Sequence, residues 1–310
     1  MLETTELVKR FKGTYAVQGV SLYLDKGESV GLLGPNGAGK STTISMISSL
    51  IKPTSGDVLL YGNSVVKNPA AIRKVLGVVP QEIALYEELT AYENLKFFGR
   101  IYKLKGKELE LRIQEVLDMV GLRERQKELV RTYSGGMKRR INIAAALLHE
   151  PEIVIMDEPT VGIDPQSRNH ILDTVRLLNR EKGTTVLYTS HYMEEVEQLC
   201  SRMYIMDHGK VIASGSKQEL KRILTGEDIL HLQLDGPGAG MAGELRMLDA
   251  VRQVEETENG LKLIVAKQSR ILSQVVQIAE RHQVEILRVH VHTPSLEDVF
   301  LHLTGRTLRD

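Results

Sequence analysis

The chain has 310 residues, of which 42% are hydrophobic and 26% charged, a composition typical of globular proteins and a length that predicts more than one domain. The 40 lysines and arginines balance the 40 aspartates and glutamates, and because no basic tract stands out, we expect no nucleic-acid partner and no direct binding of anionic lipid. No apolar run reaches the roughly 18 residues of a membrane-spanning helix, residues 1–11 lack the apolar segment of a signal peptide, and the single cysteine, Cys200, excludes an internal disulfide.

A glycine-rich segment lies between a predicted strand at Ser29–Leu33 and a predicted helix at Ser41–Leu50. Its sequence, GPNGAGKST, has the Gly-x-x-x-x-Gly-Lys-Ser/Thr spacing of a phosphate-binding loop. Glycines let backbone amides point at an anion, and the start of the following helix adds a positive dipole end. We therefore predict a nucleoside-triphosphate site with the lysine on the β- and γ-phosphates and the serine on Mg²⁺, formed by Gly34, Pro35, Asn36, Gly37, Ala38, Gly39, Lys40, Ser41 and Thr42.

A mostly helical insert is predicted next, at about 83–150, with apolar residues at helical spacing in Glu93–Leu104 and Lys107–Val120. It closes with Tyr133-Ser134-Gly135-Gly136-Met137 and a predicted helix at Lys138–His149. A helix start preceded by Ser-Gly-Gly offers a hydroxyl and several free amides, which suit a γ-phosphate. Locally, the same pattern also fits a serine N-cap with glycine hinges. One chain cannot easily present this turn and the phosphate-binding loop to the same nucleotide.

Two acidic residues, Asp157 and Glu158, follow the continuous apolar run Ile153–Met156. Such a run is typical of a parallel strand buried on both faces, and the ends of these strands carry ligand groups. We predict that Asp157 binds Mg²⁺, directly or through water, and that Glu158 polarises the water that attacks the γ-phosphorus. Taken alone, Asp-Glu-Pro would more often begin a turn.

The C-terminal part of the chain has a different pattern. From residue 227 the predicted order is strand, helix, strand, strand, helix and strand, with a hairpin turn at Glu258–Gly260 and a terminal helix within Thr293–Gly305. The first of these helices is predicted at Gly243–Leu248. This βαββαβ order indicates a ferredoxin-like α+β module, which we assign to residues 227–310.

Further residues complete an ordered series of motifs along the chain: Gly34–Thr42, Gln81 in VVPQE, Ser134–Gly136, Asp157 and Glu158, Asp164 in VGIDP, and His191 in YTSHYMEE. This series resembles the ATP-binding-cassette (ABC) ATPases. The resemblance implies an α/β P-loop NTPase core in residues 1–226, with a RecA-like sheet and the helical insert as a subdomain. It also implies that ATP and Mg²⁺ are bound, and that the Ser-Gly-Gly turn completes the site of a partner subunit in a head-to-tail dimer.

The resemblance assigns roles to residues that would otherwise be unremarkable. Gln81 is implied to contact Mg²⁺ or the attacking water, while its loop senses a membrane partner. His191 is implied to contact the γ-phosphate, and Asp164 to communicate between the two sites. Adenine is implied to stack on Phe11, with Tyr15 as the alternative, since a stack requires only a flat apolar face.

Two positions depart from the commonest form of the signature, since Tyr133 replaces leucine and Met137 replaces glutamine. The variant YSGGMKRR resembles bacterial drug-export and ABC-2-type ATPases, including the daunorubicin-resistance type. This implies the ATP-hydrolysing subunit of an exporter of a drug, lipid or other hydrophobic compound. Its partners would be a second ATP-binding subunit, as a homodimer, and a separate integral-membrane ABC-2-type permease that holds it on the cytoplasmic face of the membrane. The alternatives are a soluble ABC ATPase of translation or DNA repair, and an importer motor.

Overall fold

The computed structural model describes residues 1–224, 227–236, 238–257, 259–266, 269–292 and 295–305. The chain divides into two compact units, Met1–Ser216 and a second that begins at Lys217. Within the described ranges, no helix combines the length and the apolar character that crossing a membrane requires.

The first unit contains two sheets. One is a small antiparallel sheet with the strand order β2-β1-β4-β5, formed by β1 (Leu2–Phe11), β2 (Thr14–Leu24), β4 (Ser55–Leu60) and β5 (Asn63–Ser64). The other has the order β10-β9-β3-β8-β7-β6, formed by β3 (Ser29–Leu33), β6 (Leu76–Val79), β7 (Ile153–Asp157), β8 (Thr185–Ser190), β9 (Arg202–Asp207) and β10 (Lys210–Ser216). Its neighbouring strands run parallel except for β9 and β10.

Three central strands of the larger sheet, β3, β7 and β8, are buried along their whole length. Their apolar runs fit this position, because a parallel strand with both faces covered needs apolar side chains on each. The main core lies between the two sheets, where Leu2 and Val17 of the antiparallel sheet join Leu32 and Ile155 of the parallel one. The predicted α/β architecture is therefore confirmed.

Seven α-helices belong to this unit: α1 (Lys40–Ile47), α2 (Pro69–Val75), α3 (Ala91–Ile101), α4 (Gly106–Met119), α5 (Gly135–Leu147), α6 (Pro165–Arg180) and α7 (Met193–Leu199). Helices α3, α4 and α5 pack against one another and form the helical subdomain. A capping box fixes the start of α3, because Thr90 Oγ1 accepts from the Glu93 amide while the Glu93 carboxylate accepts from the Thr90 amide.

The second unit is an antiparallel sheet with helices, and its strand order is β12-β13-β11-β14. Its elements are α8 (Lys217–Lys221), β11 (Glu227–Leu234), α9 (Ala239–Leu245), β12 (Val251–Thr257), β13 (Gly260–Ala266), α10 (Leu272–Arg281), β14 (Ile286–His292) and α11 (Leu296–Thr304). This order of strands and helices confirms the ferredoxin-like prediction. Glu258 of the predicted turn, and Thr293 and Pro294 of the predicted terminal segment, lie outside the described residues.

Two features differ from the sequence-based expectations. Helix α9 spans Ala239–Leu245 instead of Gly243–Leu248, because Met241, Ala242 and Leu245 are buried in the core of this unit. Helix α8 packs against α11, and so the second compact unit begins before residue 227.

Candidate functional site

Four parallel strands bring the predicted site residues to one edge of the larger sheet. Strands β3, β8, β7 and β6 are successive neighbours, with Leu33 opposite Ser190 and Asp157 opposite Thr189. Because the carboxyl ends of parallel strands meet at one edge, the segments that follow these strands lie side by side. They are the phosphate-binding loop, the segment with His191, Glu158, and the segment with Gln81.

The phosphate-binding loop depends on glycine at specific positions. Gly39 has φ +101° and caps α1, and a Cβ there would lie 2.6 Å from the Ala16 carbonyl oxygen. Gly37 has φ +82°, and a Cβ there would meet no atom within 4 Å. No side chain caps the start of α1, so its first amides remain free for an anion.

Lys40 is folded back across its own loop. Its Nζ atom donates to the carbonyl oxygens of Gly34, at 2.6 Å, and Pro35, at 3.1 Å. It also lies 2.9 Å from Glu158 Oε1, and the two side chains are only 4% and 5% exposed. A buried ammonium group beside free helix-start amides forms a donor set that fits the β- and γ-phosphates of a nucleotide.

Glu158 lies at the centre of the gathered residues. Its Oε2 atom is 3.3 Å from His191 Nδ1, and its backbone, at φ +47°, is held by a 2.9 Å hydrogen bond from its amide to Thr189 Oγ1. Thr189 Oγ1 is also 2.9 Å from Asp157 Oδ1. The hydroxyl of Thr189 thus positions both acidic residues. Thr189 lies within the segment YTSHYMEE, but the sequence analysis singled out only His191 there.

The predicted Mg²⁺ ligands supply hard oxygen atoms. Asp157 is buried, and only its Oδ1 atom is in hydrogen-bond contact with Thr189, which leaves a second carboxylate oxygen. Ser41 is exposed at the start of α1. A hydroxyl and a carboxylate fit Mg²⁺, which in nucleotide sites takes few protein ligands beside phosphate oxygens and water.

Gln81 is exposed, and its backbone carbonyl accepts a hydrogen bond from Arg139 Nη2. Arg139 also donates from Nη1 to the Pro80 carbonyl, at 2.6 Å. Burial lowers the pKa of this arginine, although the nearby Asp157 carboxylate opposes the shift. Arg139 belongs to α5, so it ties this helix to the backbone of the Gln81 segment. The sequence analysis did not single it out.

The Ser-Gly-Gly turn begins α5. Ser134 Oγ accepts from the Met137 amide at 3.2 Å. Ser134 and Gly135 are exposed, whereas Gly136 is packed so tightly that a Cβ there would lie 2.1 Å from Ser167 Oγ. Among the contacts described for residues 1–224, none joins this turn to the phosphate-binding loop of the same chain.

Asp164 lies close to the Ser-Gly-Gly turn: a Cβ atom added to Gly136 would be 3.0 Å from Asp164 Oδ1. Asp164 caps α6, with Oδ2 accepting from the Ser167 amide at 2.9 Å. The hydrogen bonds from Ser167 lower the pKa of this carboxyl group, which is therefore a carboxylate at neutral pH.

Both candidates for adenine stacking lie on the hairpin of β1 and β2. Phe11 is 47% exposed and Tyr15 is 50% exposed. Each ring already faces a cation, since Lys9 Nζ lies 5.1 Å from the Phe11 ring centre and the Arg10 guanidinium 5.3 Å from that of Tyr15. The geometry of the described residues leaves both rings available to a base.

Comparisons with known proteins agree with this architecture. The family model described as "ABC transporter" matches residues 17–161, and the one described as "ATP-binding protein DrrA1-3-like, C-terminal domain" matches residues 215–304. The linearmycin resistance ATP-binding protein LnrL of Bacillus subtilis (strain 168) is 51% identical over 312 residues, covering 100% of both chains. The chain belongs to the ATP-binding proteins of ABC transporters.

Two further similarities define the subgroup and the cassette. The daunorubicin/doxorubicin resistance ATP-binding protein DrrA of Streptomyces peucetius is 38% identical, covering 100% of this chain and 94% of that protein. A dimeric ATP-binding cassette in a post-hydrolysis state, bound to ADP and Pi, is 29% identical with a TM-score of 0.65, covering 70% of this chain and 98% of that one. This ABC protein is of the drug-resistance subgroup, and it is the ATP-hydrolysing subunit of an exporter. Such subunits generally form dimers and work with a membrane permease.

Proposed function

We propose that this ABC ATPase works as a homodimer that closes on ATP and reopens after hydrolysis. In each half, the loop Gly34–Thr42 binds the phosphates of one nucleotide, and Ser134–Gly136 of the other copy contact its γ-phosphate. Phosphoryl transfer depends mostly on placement and on neutralisation of charge, which amides, a lysine and positioned carboxylates supply. The observation that carries this proposal is that Ser134 and Gly135 are exposed, while none of the contacts described for residues 1–224 joins them to the phosphate-binding loop of their own chain.

The remaining site residues have distinct roles in this proposal. Glu158 accepts a proton from the attacking water, and His191, 3.3 Å from Glu158, contacts the γ-phosphate. Asp164 faces the partner's site from its position beside the Ser-Gly-Gly turn. When bound, Mg²⁺ neutralises phosphate charge, and Ser41, Asp157 and Gln81 would hold it.

The membrane partner in this proposal is a separate ABC-2-type permease, which keeps the ATPase on the cytoplasmic face of the cell membrane. An aromatic cluster near the Gln81 segment supports a docking site for it. The Tyr86 and Phe97 rings pack edge to face at 5.0 Å, and Phe97 and Phe98 at 5.4 Å. Tyr86 and Phe97 are about half exposed, and exposed aromatic residues are common anchors of protein interfaces.

The relatives' names suggest the class of cargo. Linearmycin resistance and daunorubicin/doxorubicin resistance are the roles given to two proteins that match this chain over its full length. We propose export of a drug, a lipid or another hydrophobic compound. The ATPase domain, predicted at residues 1–226, drives this export. The C-terminal module, predicted at 227–310 and part of the compact unit that begins at Lys217, is accessory to it.

Co-expression with a candidate permease tests the proposal. We expect the tagged chain to sediment with membranes only when the permease is present, and its ATPase activity to rise when transported compounds are added. The double variant Tyr86→Ser/Phe97→Ser should lose membrane association, while Leu111→Ser, an exposed apolar residue on α4 of the same subdomain, should keep it. ATPase activity without any permease-dependent membrane association would contradict the transporter assignment.

A further inference from the structure

Glu195 is a buried carboxylate in α7, only 3% exposed. A single oxygen, Oε2, lies within hydrogen-bond distance of three side-chain hydroxyl groups: Thr160 at 2.8 Å, Tyr188 at 2.9 Å and Ser190 at 3.1 Å. Burial, and then the charge of Glu195, raises the pKa of Tyr188 well above its usual value, so its hydroxyl remains a donor. A carboxylate accepts such hydrogen bonds strongly.

The hydroxyl groups come from the two segments that carry the reactive groups of the site. Thr160 follows Glu158 by two residues, and Ser190 directly precedes His191. Ser190 Oγ also accepts from the Tyr192 amide at 2.8 Å, which fixes the backbone on the other side of His191. Glu195 therefore ties together the segments whose side chains meet in the 3.3 Å contact between Glu158 and His191.

The other oxygen of Glu195 faces a third segment. Oε1 lies 3.2 Å from Arg168 Nε, and the Arg168 guanidinium lies 4.5 Å from the ring centre of Tyr192. Arg168 is in the first turn of α6, next to Ser167, which packs on Gly136 of the Ser-Gly-Gly turn. The Glu195 carboxylate thus connects the segments of Glu158 and His191 with α6, the helix that packs on the Ser-Gly-Gly turn.

The contact between Glu195 and Arg168 is weaker than the hydrogen bonds between Glu195 and the three hydroxyl groups. Neither Arg168 Nε nor Glu195 Oε1 makes an aligned hydrogen bond, and the Arg168 side chain is partly exposed. A buried ion pair is weak evidence for stability, because well-packed apolar residues often stabilise a fold equally well. Glu195 thus makes strong hydrogen bonds to the segments of Thr160 and Ser190 and a weaker contact with Arg168. This combination fits a residue that transmits a change at one nucleotide site to the other.

We propose that Glu195 is a positioning residue that fixes Glu158 and His191 relative to each other and, through Arg168, couples this geometry to the Ser-Gly-Gly turn that serves the partner's ATP. The proposal rests on the ATP-bridged homodimer proposed above. It assigns Glu195 no contact with nucleotide: its effect passes through the segments that it holds.

The first test compares Glu195→Gln with Glu194→Gln. Glu194 is the exposed neighbour in the same helix and undergoes the same chemical change. Glutamine keeps an acceptor for the hydroxyl groups and removes the attraction for Arg168. We expect Glu195→Gln to lower kcat by about 10- to 100-fold, the range for supporting partners of active-site groups. KM for ATP should stay within about twofold, since only transition-state geometry is lost, and Glu194→Gln should match the wild type.

Two further variants separate positioning from folding. Thr160→Val and Ser190→Ala each remove one hydroxyl group and leave the carboxylate in place. Each loses buried hydrogen bonds, which costs about 1–3 kcal/mol of stability, and both should lower kcat at temperatures at which the variants remain fully folded. Coupling between the two nucleotide sites is measured as the Hill coefficient of the hydrolysis rate as a function of ATP concentration. Arg168→Gln should reduce the Hill coefficient, and adding it to Glu195→Gln should lower kcat no further, because both changes break the same contact.

The outcomes distinguish this inference from the proposed function. If the wild type hydrolyses ATP and Glu158→Gln forms an ATP-dependent dimer, but Glu195→Gln has the kcat and Hill coefficient of Glu194→Gln, the role of Glu195 is overturned and the dimer mechanism stands. Purely additive effects of Arg168→Gln and Glu195→Gln would overturn the coupling. Absence of the ATP-dependent dimer would remove the proposed function itself.

Discussion

Lys40 Nζ and Glu158 Oε1 form a 2.9 Å ion pair between two almost completely buried side chains. The lysine that we assign to the phosphates is therefore in direct contact with the carboxylate that we assign to the attacking water. A triphosphate that binds Lys40 would compete with Glu158 for the same ammonium group.

Glu158→Gln removes the charge that competes with phosphate for Lys40. We expect ATP affinity equal to or tighter than that of the wild type, and turnover lower by at least about 100-fold, as for loss of a general base. ATP should trap the variant as a dimer in size-exclusion chromatography. Glu181→Gln, an exposed control, should behave like the wild type, and Lys40→Ala should lose ATP binding. Undiminished hydrolysis by Glu158→Gln would remove Glu158 from its role.

The two glycines of the signature turn should respond differently to alanine. A Cβ on Gly136 meets Ser167 Oγ at 2.1 Å, whereas a Cβ on Gly135 meets open space. We expect Gly136→Ala to lower the free energy of unfolding by about 1–3 kcal/mol through overpacking, measured by urea denaturation. Gly135→Ala should keep its stability and ATP affinity but lose ATP-dependent dimerisation. A Gly135→Ala variant that dimerises and hydrolyses normally would contradict the trans contact.

Thr189→Val tests the hydroxyl group shared by the two acidic residues. Valine has nearly the same shape but leaves the buried amide of Glu158 without its acceptor, which costs about 1–3 kcal/mol of stability. We also expect kcat to fall, because Asp157 and Glu158 lose their common hydrogen-bond partner. Thr14→Val at the exposed start of β2 is the control. If Thr189→Val keeps full stability and activity, Thr189 has no positioning role.

Adenine stacking is tested by Phe11→Ala and Tyr15→Ala. Both rings are about half exposed, so neither truncation should change the melting temperature much. If Phe11 stacks on the base, Phe11→Ala raises KM for ATP by about 10-fold, in line with roughly 1–3 kcal/mol per stacked base, while Tyr15→Ala leaves it unchanged. The reverse pattern would move the assignment to Tyr15.

The sequence was most informative where one strong local pattern determined the structure. The apolar runs Ser29–Leu33 and Ile153–Met156 were correctly predicted as buried strands. The antiparallel sheet was missed because its pairing is irregular: β1 has register shifts against β2, including one between Thr4 and Leu7, and these shifts obscure the two-residue alternation that identifies a strand.

Side-chain networks were beyond the reach of sequence patterns for a different reason. Glu194 and Glu195 are identical, adjacent residues at the start of one helix, but the first is exposed and the second is buried against hydroxyl groups. Thr160 is distant from Glu195 along the chain, and only the packing of α7 on the sheet brings the two together. No pattern within a single segment carries that information.

The outward-facing Ser134 and Gly135 have a consequence for any assay of the isolated polypeptide. If each copy completes the nucleotide site of the other, as proposed, the total rate of hydrolysis should vary with the square of subunit concentration in the dilute limit, and specific activity should fall in proportion to dilution. A permease that holds two copies side by side would abolish this dependence on concentration. Binding to the permease would then be enough to activate ATP hydrolysis.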